Sequence, residues 1–340
     1  MSRHSYPLSL SIYNSNIEFG EIMRTLYIKQ NDAGQRLDKF LSKAVKALPK
    51  SLMYKSIRTK KIKVNRKRTE IGYILNEGDT VELFIAEEFF SDTAVEEAFM
   101  KLTPKLDIIY EDKNIMLLEK RPGLIVHSDD EEDVNTLISH VKAYLYRKGE
   151  YKPEDEQSFA PALCNRIDRN TGGIVIAAKN AEALRVMNEK IKNDELSKFY
   201  LAAIHGIPGK KEATLKGYLK KDSANNIVDI VTSPRAGYKE IITKYRVIDT
   251  KQNLSLIEVE LVTGRTHQIR AHMSSIGHPL LGDGKYGINR DDKKLGYKFQ
   301  ALYAYRLEFC FKTSGSVLDY LNGKVFTADK NKIWFHDEFK

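Results

Sequence analysis

The chain has 340 residues, 42% of them apolar and 30% charged, and a formal net charge of +9 at neutral pH. That length allows two domains and a sizeable core. No apolar run is long enough to cross a bilayer, the first residues lack a basic start and an apolar h-region, and two distant cysteines, Cys164 and Cys310, offer neither a disulfide framework nor a zinc pattern. Membrane, secreted and zinc-built classes are therefore set aside, and a reducing cytoplasm is expected.

Residues 1–23 read as an unstructured leader, with Met23 a candidate start of the folded chain. Residues 24–86 read as a small module. Leu37, Phe40, Leu41, Ala44 and Leu48 recur at helical spacing until Pro49 breaks the pattern. Ser51 is placed to cap a second short helix that turns Leu52 and Ile57 inward. Lys61 to Asn65 alternates like a strand, Gly78-Asp79 is a turn, and Val81, Leu83 and Ile85 alternate again. Across this module lie Lys50, Lys55, Arg58, Lys60, Lys61, Lys63, Arg66, Lys67 and Arg68, uninterrupted by Asp or Glu. These nine charges equal the net excess of the whole chain. Such a concentration points to a polyanion, and to nucleic acid before membrane, because no amphipathic apolar anchor accompanies it.

Residues 87–104 are acidic and read as a linker. A larger domain follows over 105–312, with 313–340 as a C-terminal extension. Two strands are expected around the turn Glu111–Asn114, then a solvated acidic patch at Asp129–Asp133, then a helix over Thr136–Tyr146. Ile174–Ala178 is a short unbroken apolar strand of the kind buried on both faces. Asn180 is placed to cap a helix with Leu184, Met187 and Ile191 inward. Strands are expected at 199–204, 240–247 and 254–262, and Thr266 is placed to cap a helix that ends at Gly277. Strands outnumber helices and follow one another directly, which argues for an α+β fold with a mixed, largely antiparallel sheet flanked by helices.

Two constellations carry chemistry. Asn165 to Gly173 is a glycine-hinged loop entering the apolar strand, with Asp168 between Arg166 and Arg169. Neighbouring cations favour the ionised carboxylate that a nucleophile or base requires, although an aspartate tying a turn to an arginine has the same appearance. Leu261 to His272 joins a strand to a helix and aims backbone N–H groups and Arg265 at an anion or a base edge. His267, His272 and His278 lack both i,i+4 spacing and a carboxylate or cysteine partner, so helix-face histidines are preferred to a metal site. On the strand Lys198–Ile204, Tyr200 faces away from Phe199 and Leu201, where it could stack on a base.

Taken together, these residues resemble the RluA-type pseudouridine synthases preceded by an S4-type RNA-binding domain. The resemblance runs from roughly Arg24 to Phe311. The family signature His-Arg-Leu-Asp-x-x-Thr-Ser-Gly stands here as Asn165-Arg166-Ile167-Asp168-Arg169-Asn170-Thr171-Gly172-Gly173. Gly-Arg-Thr-His-Gln-Ile-Arg-x-His is intact at Gly264 to His272, followed by Gly282-Asp283-Gly284-Lys285-Tyr286-Gly287. Lys198-x-Tyr200 matches the active-site tyrosine strand, and Lys120 to His127 a further segment, its proline one place later than usual. Arg36-Leu37-Asp38, Lys63-Val64-Asn65 and Gly78-Asp79-Thr80-Val81 carry the S4 likeness. Asn165, Ile167 and Gly172 depart from the family, and Tyr303 stands where it often has histidine.

The resemblance implies conversion of uridine to pseudouridine within structured RNA, ribosomal before transfer RNA, by a monomer needing neither metal nor cofactor. The uridine would be flipped into a pocket. Asp168 would attack the sugar or base, or remove a sugar proton. Tyr200 would stack on the base or receive a proton, and Arg265 would pair with Asp168. Arg166, Thr171, His267, Gln268 and Arg270 would contact substrate. Lys55, Arg58, Lys60, Lys61, Arg66, Lys67 and Arg68 would hold phosphates. The rival readings are a transfer-RNA enzyme, a non-catalytic ribosome-associated factor, which the basic module alone supports equally, and a metal-dependent nuclease, which lacks a carboxylate cluster.

Overall fold

The structure is a computed structural model that describes residues 21–90, 98–127, 135–222, 224–287 and 289–340. The acidic patch expected at Asp129–Asp133 and the middle of the expected linker lie outside the described residues. The chain divides between Val95 and Glu96 into two compact units.

The first unit is a three-stranded antiparallel sheet and two helices. Strands β1 (Glu21–Tyr27), β2 (Ile62–Val64) and β3 (Thr80–Ala86) run in the order β1-β3-β2. Strand β1 begins inside the segment expected to be a leader, and Met23 pairs with Phe84 within it. Helix α1 (Leu37–Ala44) buries Leu37, Phe40 and Leu41, the i, i+3, i+4 stripe of the sequence. Helix α2 (Lys50–Arg58) buries Met53 and Ile57 one turn apart. Its N-cap is Pro49 with no side-chain cap, and Ser51 is an exposed residue within the first turn, contrary to expectation. Proline supplies a suitable fixed φ where no N–H is needed, so the helix starts earlier than the hydroxyl suggested. Val81, Leu83 and Ile85 alternate inward on β3 and meet Ile62 and Val64. The tight return before β3 is held by Asp79, whose carboxylate accepts from Asn65 Nδ2 at 2.7 Å and from the Asn76 amide at 2.8 Å.

The acidic stretch is less of a linker than its charge implied. Phe89 and Phe90 lie against the core of the first unit, and Phe99 is buried in the second.

The second unit is built on one eleven-stranded sheet. Its strands are β4 (Ile108–Glu111), β5 (Ile115–Lys120), β6 (Ala162–Leu163), β7 (Gly172–Ala178), β8 (Leu196–His205), β9 (Glu212–Asp222), β10 (Ile227–Val231), β11 (Lys239–Lys251), β12 (Leu254–Leu261), β13 (Leu302–Phe309) and β14 (Val325–Thr327). The order is β10-β9-β11-β12-β8-β13-β7-β5-β4, with β6 on β7 and β14 on β13. Among the described strands only β13 and β7 pair in parallel, so the sheet is mixed and largely antiparallel, as the sequence pattern requires. The helices are α3 (Leu137–Lys148), α4 (Ala181–Lys192), α5 (Gln268–Ser275) and α6 (Asn289–Lys294). Thr136 and Asn180 cap α3 and α4 through their side chains.

The period-2 rule sorts side chains to the two faces. On β5 and β7, Ile115, Leu117, Ile174 and Ile176 join one apolar cluster, whereas Met116, Leu118, Val175 and Ala177 join another with α3. On β8, Leu201 and Ala203 face the first cluster, and Tyr200, Ala202 and Ile204 face a third that takes in Ile269 and Met273 of α5. The first cluster is completed by Leu318, Leu321, Ala328, Ile333 and Phe335. The segment beyond Lys312 is thus part of the core of the second unit and not an appendage. Its apolar residues are spaced irregularly, in short 3₁₀ turns, and carry no helical or strand period to reveal them.

Phe335 is fully buried. Phe335→Ala is expected to destabilise the protein by ~3–5 kcal/mol through lost contacts and the remaining cavity. Denaturant unfolding checks this, and an unchanged midpoint would show that the tail does not contribute to the core.

Candidate active site

The loop between β6 and β7 is fixed from three directions. Ile167 packs against two apolar clusters on its side of the sheet, the one with α3 and the one with Ile269 and Met273 of α5, and so sits at the seam between them. Asn165 Oδ1 accepts the Ile176 amide at 2.8 Å, tying the loop to β7 at the position where the resembled family has histidine. Lys120, 1% exposed, donates from Nζ to the carbonyls of Leu124 at 2.8 Å, Arg169 at 2.9 Å and Arg121 at 3.1 Å. Burial pulls the Lys120 ammonium down to about 7, and the charge of Asp168 opposes that pull. A buried lysine tying its own segment to the loop was not apparent in the sequence, because the acceptor on the loop is the Arg169 carbonyl, a backbone atom 49 residues away.

Loop and strand meet at two glycines that the register sets beside β13, Gly172 opposite Tyr303 and Gly173 opposite Ala304. A Cβ on Gly172 would lie 2.3 Å from the Tyr303 ring, and Gly173 has φ +117 with its Cβ position 2.2 Å from the Ala304 carbonyl oxygen. The two departures noted in the sequence, Gly172 for serine and Tyr303 for histidine, thereby become one: the larger ring occupies the space a serine Cβ would need. Tyr303 Oη donates to the buried Glu119 at 2.7 Å, which anchors that ring.

These contacts present Asp168 to a cleft of about 1000 Å³ within the second unit. The cleft is lined by Arg166, Arg169, Lys198, Lys221, Arg265, Arg270, Lys285, Lys293 and Lys298, and Asp168 is the one carboxylate among its described lining residues. Tyr200, Thr171, His267 and Gln268 also line it.

Arg270, not Arg265, pairs with Asp168. Its Nη1 donates to Asp168 Oδ2 at 2.9 Å, while Nε and Nη2 donate to the two oxygens of Asp283, each at 2.8 Å. Arg265 is exposed, and its backbone amide donates to Gln268 Oε1 at 3.1 Å. The expected cap is corrected too. Thr266 does not cap α5; His267 occupies the N-cap with φ 53, and the helix opens at Gln268. That extra left-handed residue rotates the helix start, so Arg265 faces the cleft mouth and Arg270, one turn into the helix, faces inward. A strand-to-helix junction of this kind cannot be phased from spacing alone.

Asp283 is fully buried. Burial by itself would raise its carboxyl, but Arg270 and the amides of Lys285 and Tyr286 outweigh it and hold the group below the ordinary carboxylate range. Burial likewise disfavours the Arg270 cation, and Asp283 with Asp168 reverses the sign, so the guanidinium is held charged more firmly than usual. Burial pushes the Tyr200 phenol well up, with Asp168 adding to it, and Tyr200 stays a neutral hydroxyl. Burial pulls His267 down, with Asp168 opposing.

The expected substrate-contacting residues separate accordingly. Arg166 is exposed at the cleft. Arg270 is instead buried between two carboxylates, and Thr171 is buried with its hydroxyl accepting from Gln300 Nε2 at 3.1 Å. Gln268 is 1% exposed; its amide donates to Ile242 O and Thr243 Oγ1 and accepts from Thr263 Oγ1 and the Arg265 amide, leaving it no capacity for a base. His267, His272 and His278 face separate partners, Tyr286 Oη, Thr243 Oγ1 and the His205 carbonyl. On the first unit Lys55, Arg58, Lys60, Lys61, Arg66, Lys67 and Arg68 are all exposed.

Gly172→Ser is expected to destabilise the protein by ~1–3 kcal/mol, because the new side chain must displace a packed ring. Adding Tyr303→His should recover most of that loss, and strictly additive effects in thermal unfolding of the pair would dissociate the two positions.

A profile of the RNA pseudouridylate synthase family matches residues 114–275, and one of the S4 domain matches residues 35–81. The chain is 33% identical over 317 residues to an RNA pseudouridine synthase of Mycoplasma capricolum, covering 92% of this chain and 99% of that one. It is 31% identical over 305 residues to the ribosomal large subunit pseudouridine synthase C of Escherichia coli, covering 87% and 91%. Among solved structures, human RNA pseudouridylate synthase domain containing 4 shares the fold, with a TM-score of 0.52 at 21% identity over 67% of this chain and 90% of that one. The non-catalytic reading is not favoured by this company. No helix among the described residues is long and apolar enough to cross a membrane. The chain belongs to the RNA pseudouridine synthase family, isomerases of uridine in RNA, and carries an S4 domain ahead of its synthase domain.

Proposed function

We propose that this protein converts uridines of large-subunit ribosomal RNA to pseudouridine in the cytoplasm, with Asp168 as the catalytic carboxylate. The observation that carries the reading is Asp168, the one carboxylate among the described lining residues of a cation-rich cleft, paired there with a buried arginine. Cations on the rim suit the phosphates of a polynucleotide. A carboxylate facing those phosphates would weaken simple binding, so its presence needs a chemical reason. Support for ribosomal RNA comes from the relatives, several of which are named ribosomal large subunit pseudouridine synthase C.

The reaction exchanges an N-glycosidic for a C-glycosidic bond without gain or loss of electrons, so no redox partner is required. Whether Asp168 adds to the substrate or takes a proton from the sugar, it acts through a carboxylate oxygen, and Arg270 holds the carboxylate for either step. Tyr200, on β8 in the apolar cluster beside α5, offers a ring for a flipped uracil and a neutral hydroxyl at its edge. Arg166, Arg265, Lys221 and Lys285 supply the cationic rim for neighbouring phosphates. The exposed basic residues of the S4 domain add sequence-independent phosphate contacts.

Asp168→Asn keeps the size of the side chain and an oxygen for Arg270, and is expected to abolish pseudouridine formation on unmodified large-subunit ribosomal RNA while RNA affinity is retained. Appreciable turnover by the purified variant would remove Asp168 from the mechanism. Replacing Lys60, Lys61, Arg66 and Lys67 by glutamine should weaken RNA binding and lower the slope of log K against log salt by up to ~3, at about 0.7–0.9 per phosphate contact. An unchanged slope in binding titrations would detach these residues from RNA.

A further inference from the structure

The two side chains that address Asp168 both address the same oxygen. Arg270 Nη1 lies 2.9 Å from Oδ2, and His267 Nε2 lies 3.8 Å from Oδ2. Among the described residues Oδ1 accepts no hydrogen bond. Tyr286 touches both of these side chains. Its ring lies 5.3 Å from the Arg270 guanidinium carbon and edge-on to the His267 ring at 5.7 Å, and its hydroxyl is 3.0 Å from His267 Nδ1.

That hydroxyl has a second neighbour which decides its polarity. The Val228 amide of β10 donates to Tyr286 Oη at 2.8 Å. A backbone N–H can only donate, so Oη accepts there and has its own proton left to give. Giving it to Nδ1 leaves the ring proton of neutral His267 on Nε2, directed at Asp168. The opposite tautomer would point a bare nitrogen lone pair at a carboxylate oxygen and leave the phenolic proton without that acceptor. The observed separation is about 1 Å beyond hydrogen-bond length, so a small closure of the ring completes the contact.

We propose that Tyr286 is a positioning residue that fixes His267 as the Nε2–H tautomer against Oδ2 of Asp168, so that Oδ1 is the oxygen presented to substrate. The inference rests on the reading of Asp168 as the catalytic carboxylate. It also connects the carboxylate to the β9–β10 hairpin, whose Lys221 and Asn226 line the cleft and whose Asn226 carbonyl accepts from Lys285 Nζ at 2.8 Å. RNA held by that hairpin would bear on the same Val228 to Tyr286 bond that orients the carboxylate, so the residue acts on the reacting step more than on affinity.

Tyr286→Phe retains the ring on Arg270 and deletes only the hydroxyl. On a transcript of large-subunit ribosomal RNA, kcat is expected to fall by about 10-fold with KM changed by less than about twofold, the pattern of a misplaced reacting group. The long-range ¹H–¹⁵N spectrum of the histidine-labelled full chain, with His267→Asn to assign the signal, should show His267 as the Nε2–H tautomer in the wild type and a shift toward the other tautomer in Tyr286→Phe. The wild-type spectrum needs no substrate and no stable variant, and an Nδ1–H tautomer there overturns the proposal. Wild-type kcat in Tyr286→Phe beside an inactive Asp168→Asn overturns it while leaving the catalytic reading of Asp168 in place. An active Asp168→Asn would instead remove the reading on which it rests.

Discussion

The arrangement of the synthase domain turns on one buried guanidinium. Arg270 is 5% exposed and lies between Asp283, which it grips with two bonds, and Asp168, which it holds with one. Bringing an arginine and a carboxylate out of water is expensive, and such a group persists only where its donors are matched. Here the match draws together three segments: the loop before β7, and, about a hundred residues further on, the start of α5 and the turn after α5 that carries Asp283. Removing any one would leave a buried charge without its counterpart. The same constraint that makes the site costly also makes its geometry unique.

The sheet supplies the ground on which that pair stands. Strands β7 and β5 are buried on both faces, and β8 and β13 complete the centre. One face is closed by α4 and the C-terminal segment. The other carries an apolar cluster with α3 and another with α5, and the loop that bears Asp168 lies where Ile167 joins them. A loop over a single continuous core could shift as one piece. A loop pinned by Ile167 at a seam, by Lys120 on the Arg169 carbonyl and by Asn165 on β7 has little freedom left, which is what a positioned carboxylate requires.

Charge is divided between the two units by function. The cations of the S4 domain are exposed, and those on α2 and around β2 face solvent with few partners, as suits phosphate contacts that add affinity without choosing a base. The cations of the cleft surround one carboxylate, and most stand at its rim. The buried one, Arg270, is the exception, and it serves the carboxylate.

Much of this could be read from the chain itself. The α1 stripe, the apolar run of β7, the cap at Asn180 and the density of cations up to Arg68 are local patterns, set by the periods of helix and strand and by short-range hydrogen bonding, and they need no knowledge of distant neighbours. Asp168 and Tyr200 were named from ordered motifs. What the chain could not disclose is every choice made between distant segments. Arg265 and Arg270 are equally cationic in sequence, and only the left-handed turn at His267 directs one outward and the other to Asp168. Gly172 and Tyr303 looked like two independent departures until the parallel register of β7 and β13 placed one against the other. Gln268 and Thr171 looked polar enough for a substrate until burial filled their hydrogen bonds with protein. The tail beyond Lys312 had no period to read, yet it closes a core. Local periodicity and motif order determined the elements and singled out Asp168, whereas pairing across the chain, which depends on burial and on which donors meet which acceptors in three dimensions, decided how that carboxylate is held.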